Sequence, residues 1–139
     1  MPSSAKRLLV GSTESYSGKS AAVLGIGLRL QTIGMDIAFG KPLGNSINSQ
    51  GQDPDLDFIV ETLHLPESRY YPPTVSLTEA TVVDQLSAQS ETINSPDLQP
   101  YIDSKGETLL LLEGPGDLAE GTLLNSSLHQ IAVAMDIPI

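Results

Sequence analysis

The chain has 139 residues, with 17 acidic and seven basic side chains, a net charge of -10 and no cysteine. That length allows one domain with a real core. The charge argues against a nucleic-acid surface, and the lack of thiols excludes disulfides, thiolate metal sites and a cysteine nucleophile. No apolar run approaches the roughly 18–20 residues that span a bilayer. Leu8–Val10 is too short for a signal-peptide core, so a cytoplasmic protein with no membrane contact is expected.

In chain order, Leu8–Val10 reads as a short strand, continuously apolar as parallel-sheet strands are. The polar loop GSTESYSGKS (Gly11–Ser20) follows, and Ala21–Leu30 reads as a helix. Gly25 and Gly27 lower its propensity but permit close approach to a sheet. Gly34 is a helix stop. Met35–Phe39 reads as a second strand, closed by the turn Gly40-Lys41-Pro42, which makes a βαβ unit. Asn45–Gln52 is loop. Asp55–Leu63 carries Leu56, Ile59, Val60 and Leu63 on one helical face, and Pro66 stops it. Tyr70–Pro73 is extended by proline restriction.

Thr78–Gln89 reads as a helix, Ser90–Pro100 as an irregular polar stretch and Leu98–Ser104 as another helical turn. Thr108–Leu112 is the strongest strand, followed by the sharp turn Glu113-Gly114-Pro115-Gly116. Leu123–Met135 reads as a helix, and Ile137–Ile139 as the entry to a further strand. The alternation of strands and helices predicts an α/β fold. Ligands in such sheets sit at the carboxyl ends of the strands. The loops after Val10, Phe39 and Leu112 should therefore converge on one edge.

A strand, a glycine-bearing loop ending Gly18-Lys19-Ser20 and a helix form the context in which a phosphate-binding loop works. Backbone N–H groups at the loop and helix start hold phosphate oxygens. Lys19 would place a positive charge at the outer phosphates, and Ser20 would offer a hydroxyl to magnesium. The pattern G-x-x-x-x-G-K-[ST] puts Thr13 where its first glycine belongs, with Gly11 two residues earlier. Gly11, Thr13, Ser17, Gly18, Lys19 and Ser20 are the expected nucleotide contacts.

Glu113 ends an apolar run and should present its carboxylate at the ligand edge, where such groups hold magnesium. Lys41 before Pro42 is a candidate for an anion, the alternative being that it caps the strand edge. Asp53, Asp55 and Asp57 surround a helix N-terminus, where the dipole alone favours them, so a metal role and a purely structural one are equally open. Their spacing lacks the glycine and glutamate of a calcium loop. His64 and His129 have no metal-ligand spacing, and no G-x-S-x-G elbow exists. Gly25-Ile26-Gly27 lies inside a helix and is no dinucleotide fingerprint. Tyr70 and Tyr71 read as packing or loop residues rather than a base-stacking platform.

Taken together, VGSTESYSGKS, FGKPLGNS, DPDLDFIVETL and LLLLEGPGD resemble the dethiobiotin synthetase-like P-loop domains. That group includes dethiobiotin synthetase, the cobyrinic acid amidases and the N-terminal domain of long phosphotransacetylases, the last with cobyrinic acid synthase-related proteins being the nearest likeness. The resemblance implies a three-layer P-loop NTPase-like parallel sheet with flanking helices. It implies ATP and Mg2+ as cofactors, with Gly18, Lys19 and Ser20 on the triphosphate. Lys19 and Lys41 become the catalytic candidates, Lys41 facing phosphates or an acidic substrate. Ser20, Asp57 and Glu113 become the magnesium ligands, with Asp55 as the near alternative to Asp57. The reaction implied is activation of a carboxylate or carbamate by phosphoryl transfer.

The loop from Gly11 to Gly18 is one residue longer than in dethiobiotin synthetase, and the group's fold continues past the strand beginning at Ile137. Residues 1–139 are thus expected to form a single domain lacking its C-terminal strands. A protein partner or a homo-oligomer would complete the sheet, because an open apolar edge invites pairing. The alternative function is a non-catalytic regulatory or protein-interaction module on the same scaffold.

Overall fold

The computed structural model describes residues 6–87, 96–103 and 108–139. Its main sheet contains β1 (Arg7–Val10), β2 (Ile37–Gly40), β4 (Tyr70–Tyr71) and β6 (Leu109–Glu113); a two-stranded ribbon joins β3 (Leu43–Gly44) to β5 (Val75–Ser76). The helices are α1 (Lys19–Thr32), α2 (Pro54–Thr62), α3 (Glu79–Ser87), α4 (Gln99–Ile102) and α5 (Leu128–Met135). The main sheet runs in the order β1-β6-β2-β4 with every pairing parallel. This is the expected α/β architecture, a parallel sheet flanked by helices. None of the helices described is long and apolar enough to cross a membrane.

Strand alternation builds the two cores. Leu109 and Leu111 of β6, with Ile37 and Phe39 of β2, pack against Val23 of α1 and Leu56 and Ile59 of α2. Leu110 and Leu112, with Leu9 and Ala38, face Tyr101 of α4 and Leu128, Ile131 and Met135 of α5. A strand covered on both faces needs apolar residues at every position, which is why 109–112 reads as an unbroken leucine run. Each buried leucine contributes about 1.5–3 kcal/mol before the entropy of ordering it.

β6 is an inner strand, paired with β1 on one side and β2 on the other. β1, equally apolar in sequence, has β6 as its one ladder partner among the described residues. The expected strand at Ile137–Ile139 does not form. Asp136 closes α5 in the left-handed region, Ile137 donates its N–H back to the Ala132 carbonyl at 3.1 Å, and Pro138 has no N–H to give a ladder. Ile137 packs onto the α5-side core instead.

Several boundaries shift for local reasons. The single helix expected over 123–135 is divided: a 3-10 turn at Thr122–Leu124 is followed by Asn125 at φ +52°, and α5 starts afresh at Leu128. A capping box drives the restart, since Ser127 accepts from the Gln130 N–H and the Gln130 side chain accepts from the Ser127 N–H. Tyr70–Tyr71, expected only to be extended, pairs with Phe39 and Gly40 as a sheet strand. Of the two helical glycines, Gly27 is pressed by the end of α2 and not by the sheet: a Cβ there would meet Leu63 at 2.9 Å and Ile37 of β2 only at an ordinary 3.5 Å, whereas a Cβ on Gly25 would meet nothing within 4 Å among the described residues. The last two residues of the helix expected over 78–89, most of the irregular stretch and the end of the turn expected over 98–104 lie outside the described residues.

Candidate functional site

The parallel register brings the loops after β1 and β6 to one edge. Val10 pairs with Glu113, and the Gly114 N–H donates to the Val10 carbonyl at 2.9 Å, so the two strands end level. α1 begins at Lys19. Its cap, Gly18, lies at φ +86°, a conformation that favours glycine, and no side chain caps the helix start. The first-turn N–H groups carry the positive end of the helix dipole and are available to an anion.

Glu113 projects from the end of β6 into this helix start. Its Oε1 accepts from Lys19 Nζ at 2.5 Å and from Ser20 Oγ at 3.0 Å. The Lys19 side chain is 9% exposed and that of Glu113 2%. Glu113 Oε2 is buried and has no hydrogen-bond partner among the described residues. A buried carboxylate oxygen without a partner is costly, and a hard cation is the chemistry that satisfies it. Ser20 Oγ and both Glu113 oxygens are hard donors of the kind magnesium takes, so these residues fit the metal that P-loop domains employ. Among the described residues no group of three or more His, Cys, Asp or Glu side chains clusters as a metal site. The fit therefore rests on a hydroxyl, one carboxylate and whatever the ligand supplies.

Around this pair opens a cleft of about 360 Å³, lined by Ser12, by residues 15–21 at the loop end and the start of α1, and by Asn45, Ser46, Asp55, Gly116 and Glu120. Hydrogen bonds fix its frame. Ser12 Oγ donates to the Gly116 carbonyl, Ser15 Oγ to Asp117 Oδ2, and Asn45 Nδ2 to Glu120 Oε1. Glu120 also accepts from the Gly116 N–H, and Asp117 from the N–H groups of Ala119 and Glu120. Those backbone bonds, Glu120's first, hold the Asp117 carboxyl below the ordinary aspartate range; a small opposing push comes from desolvation, and the Ser15 bond adds to the lowering. Tyr16, at φ +60° with a fully exposed side chain, stands on the loop at the cleft wall.

The expected site residues divide. Ser17, Gly18, Lys19, Ser20 and Glu113 line the cleft together. Gly11 and Thr13 line a neighbouring cavity instead. Gly11 is glycine for packing, because a Cβ there would fall 2.2 Å from Leu128 Cδ2. Asp55 lies on the cleft, and Asp57 is exposed on α2, outside the cleft lining.

Lys41 does not reach the cleft. Its Nζ sits 2.6 Å from Asp53 Oδ2, with both side chains 1% exposed. Asp53 is also the N-cap of α2, accepting from the Leu56 N–H through Oδ1. Sequence reasoning missed this pair, although Asp53-Pro54 with acids following is a helix-start signal that could have marked Asp53 as structural. It also missed Asn45 and Glu120, polar loop residues without a motif.

A strand leading through a glycine-capped loop into a helix that starts Lys-Ser, faced by a carboxylate from the adjacent parallel strand, defines a P-loop nucleotide-binding domain. The model of the AAA domain family matches residues 6–139. The chain belongs to this family, that of dethiobiotin synthetase-like P-loop domains. A comparison with curated proteins found no match.

Proposed function

We propose that the domain is a magnesium-dependent ATP-binding module, in which the α1 N–H groups and Lys19 hold the phosphates. Ser20 and Glu113 hold the metal, with Asp55 within the same cleft. The observation that carries this reading is Glu113: one oxygen on Lys19 and Ser20, the other buried and without a partner among the described residues. Magnesium, when bound, neutralises the charge of the outer phosphates. Lys19 leaves Glu113 for a phosphate oxygen, and Ser20 turns its lone pairs outward. With the phosphates held in this way, an acceptor in the cleft would be activated by phosphoryl transfer, a carboxylate or carbamate being the acceptor that the family resemblance suggests.

Titration calorimetry with ATP, with and without magnesium, tests the reading. Binding is expected to need both magnesium and Lys19. Binding that survives Lys19→Ala unchanged, or fails altogether, would refute it. A second reading, a non-catalytic interaction scaffold, draws support from β1, whose outer edge has no ladder partner among the described residues. It predicts no phosphate release with any small acid and a concentration-dependent mass by light scattering. A phosphate-release rate abolished by Glu113→Gln argues against it.

A further inference from the structure

The lysine that the phosphates need is already taken. Lys19 and Ser20 both donate to Glu113 Oε1, at 2.5 and 3.0 Å, so a carboxylate of the chain itself rests on the two side chains that open α1, where an anionic ligand is otherwise held. Both partners are nearly sealed, the Lys19 side chain being 9% and that of Glu113 2% exposed. The backbone of Glu113 is pinned as well. It is the last residue of β6, in register with Val10, and the following Gly114 donates its N–H to the Val10 carbonyl at 2.9 Å.

No second cation stands by to replace Lys19. Among the described residues that line the cleft it is the one basic side chain, against the carboxylates of Asp55, Glu113 and Glu120. Lys41 is held on Asp53 away from the cleft. A phosphate arriving without a metal can thus take Lys19 only by leaving Glu113 buried with an uncompensated charge. We infer that the Lys19–Glu113 pair is an autoinhibitory contact, which closes the phosphate site to polyphosphates that come without a divalent cation and opens when Glu113 passes to that cation. The inference rests on the phosphate-loop reading above. It gives Glu113 a second task beside holding metal, that of withholding the lysine from the wrong ligand.

The test is calorimetry of the 139-residue chain with inorganic tripolyphosphate in the presence of EDTA. Glu113→Gln removes the charge and keeps an oxygen for Ser20. It should raise the affinity for metal-free tripolyphosphate about tenfold or more, the equivalent of one charge-assisted bond regained. Glu113→Ala repeats the measurement should the glutamine variant fail to fold. Asp55→Asn removes the same charge from the same cleft at an exposed position with no bond to Lys19 among the described residues; its gain should stay within about twofold. A gain at Asp55 equal to that at Glu113 reduces the effect to general repulsion and overturns the inference. A folded Glu113 variant that gains nothing also overturns it, and loss of the fold in both Glu113 variants makes the pair structural and does the same. In each of these cases the phosphate-loop reading stands if the unmodified chain binds ATP with magnesium; failure of that binding overturns both readings together.

Discussion

Two lysines of this chain follow a glycine, Lys19 at the start of α1 and Lys41 directly after β2, and each sits one hydrogen bond from a carboxylate: Lys19 at 2.5 Å from Glu113 and Lys41 at 2.6 Å from Asp53. They are nevertheless different devices. Asp53 gives one oxygen to Lys41 and the other to the Leu56 N–H, so that carboxylate is satisfied on both sides and sealed. Glu113 gives one oxygen to two donors, and its other oxygen, beside an open cleft, has no partner among the described residues. A closed pair of this kind holds structure; an open one is poised to exchange partners. Distance alone does not separate them, and the partners of the second oxygen do.

The comparison breaks most visibly if Lys41 is removed. Deleting one member of a buried pair leaves an uncompensated charge and costs about 3–5 kcal/mol. Lys41→Met should therefore lower the denaturation midpoint sharply in urea, and Asp53→Asn, which keeps a capping oxygen, should cost less than Asp53→Ala. If Lys41→Met leaves stability intact and removes ATP binding, the roles assigned to the two lysines are reversed.

Lys19→Ala should produce the opposite profile. Losing a charge-assisted bond to phosphate costs about 1.5–3 kcal/mol of binding, roughly tenfold or more in Kd, with a stability change well short of that at Lys41. Calorimetry and urea denaturation on the same preparations separate the two. A smaller effect is expected at Glu113. Glu113→Gln keeps the shape and removes the charge, so ATP affinity should lose most of its dependence on magnesium, read by titrating ATP at several metal concentrations. A variant with full magnesium dependence would move the metal away from Glu113.

The smallest effect concerns the loop that frames the open pair and not the sealed one. Asp117 has its pKa lowered in the folded chain, chiefly by the N–H groups of Glu120 and Ala119. A depressed carboxyl stabilises at pH above its ordinary value of 3.8 and loses that contribution as pH falls through the folded value. Amide exchange in residues 114–120 should accelerate on that acid side, and Asp117→Asn should flatten the pH dependence there.

Much of this was legible in the residues. Gly18-Lys19-Ser20 between a strand and a helix carries its own geometry, and Glu113 at the end of four leucines could only emerge at the sheet edge. The long-range pairings were less so. Lys41 and Asp53 are twelve positions apart, and no periodicity ties a turn lysine to a helix cap; only the fold does. Gly11 invited assignment to the phosphates because a glycine was missing at Thr13, whereas its bare α-carbon answers to Leu128, far down the chain. β1 and β6 look alike as apolar runs, yet sheet order, which hydropathy does not encode, makes β6 an inner strand and leaves β1 with a single neighbour among the described residues.

Leu128 has a mechanical consequence. It is the first residue of α5 and is seated against the ends of two strands, at the two points where the phosphate loop and the Glu113 turn begin. A Cβ at either position would have to displace Leu128, so the origins of both loops and the start of α5 share one packing constraint, and a substitution at Gly11 or Gly114 is felt in all three places at once.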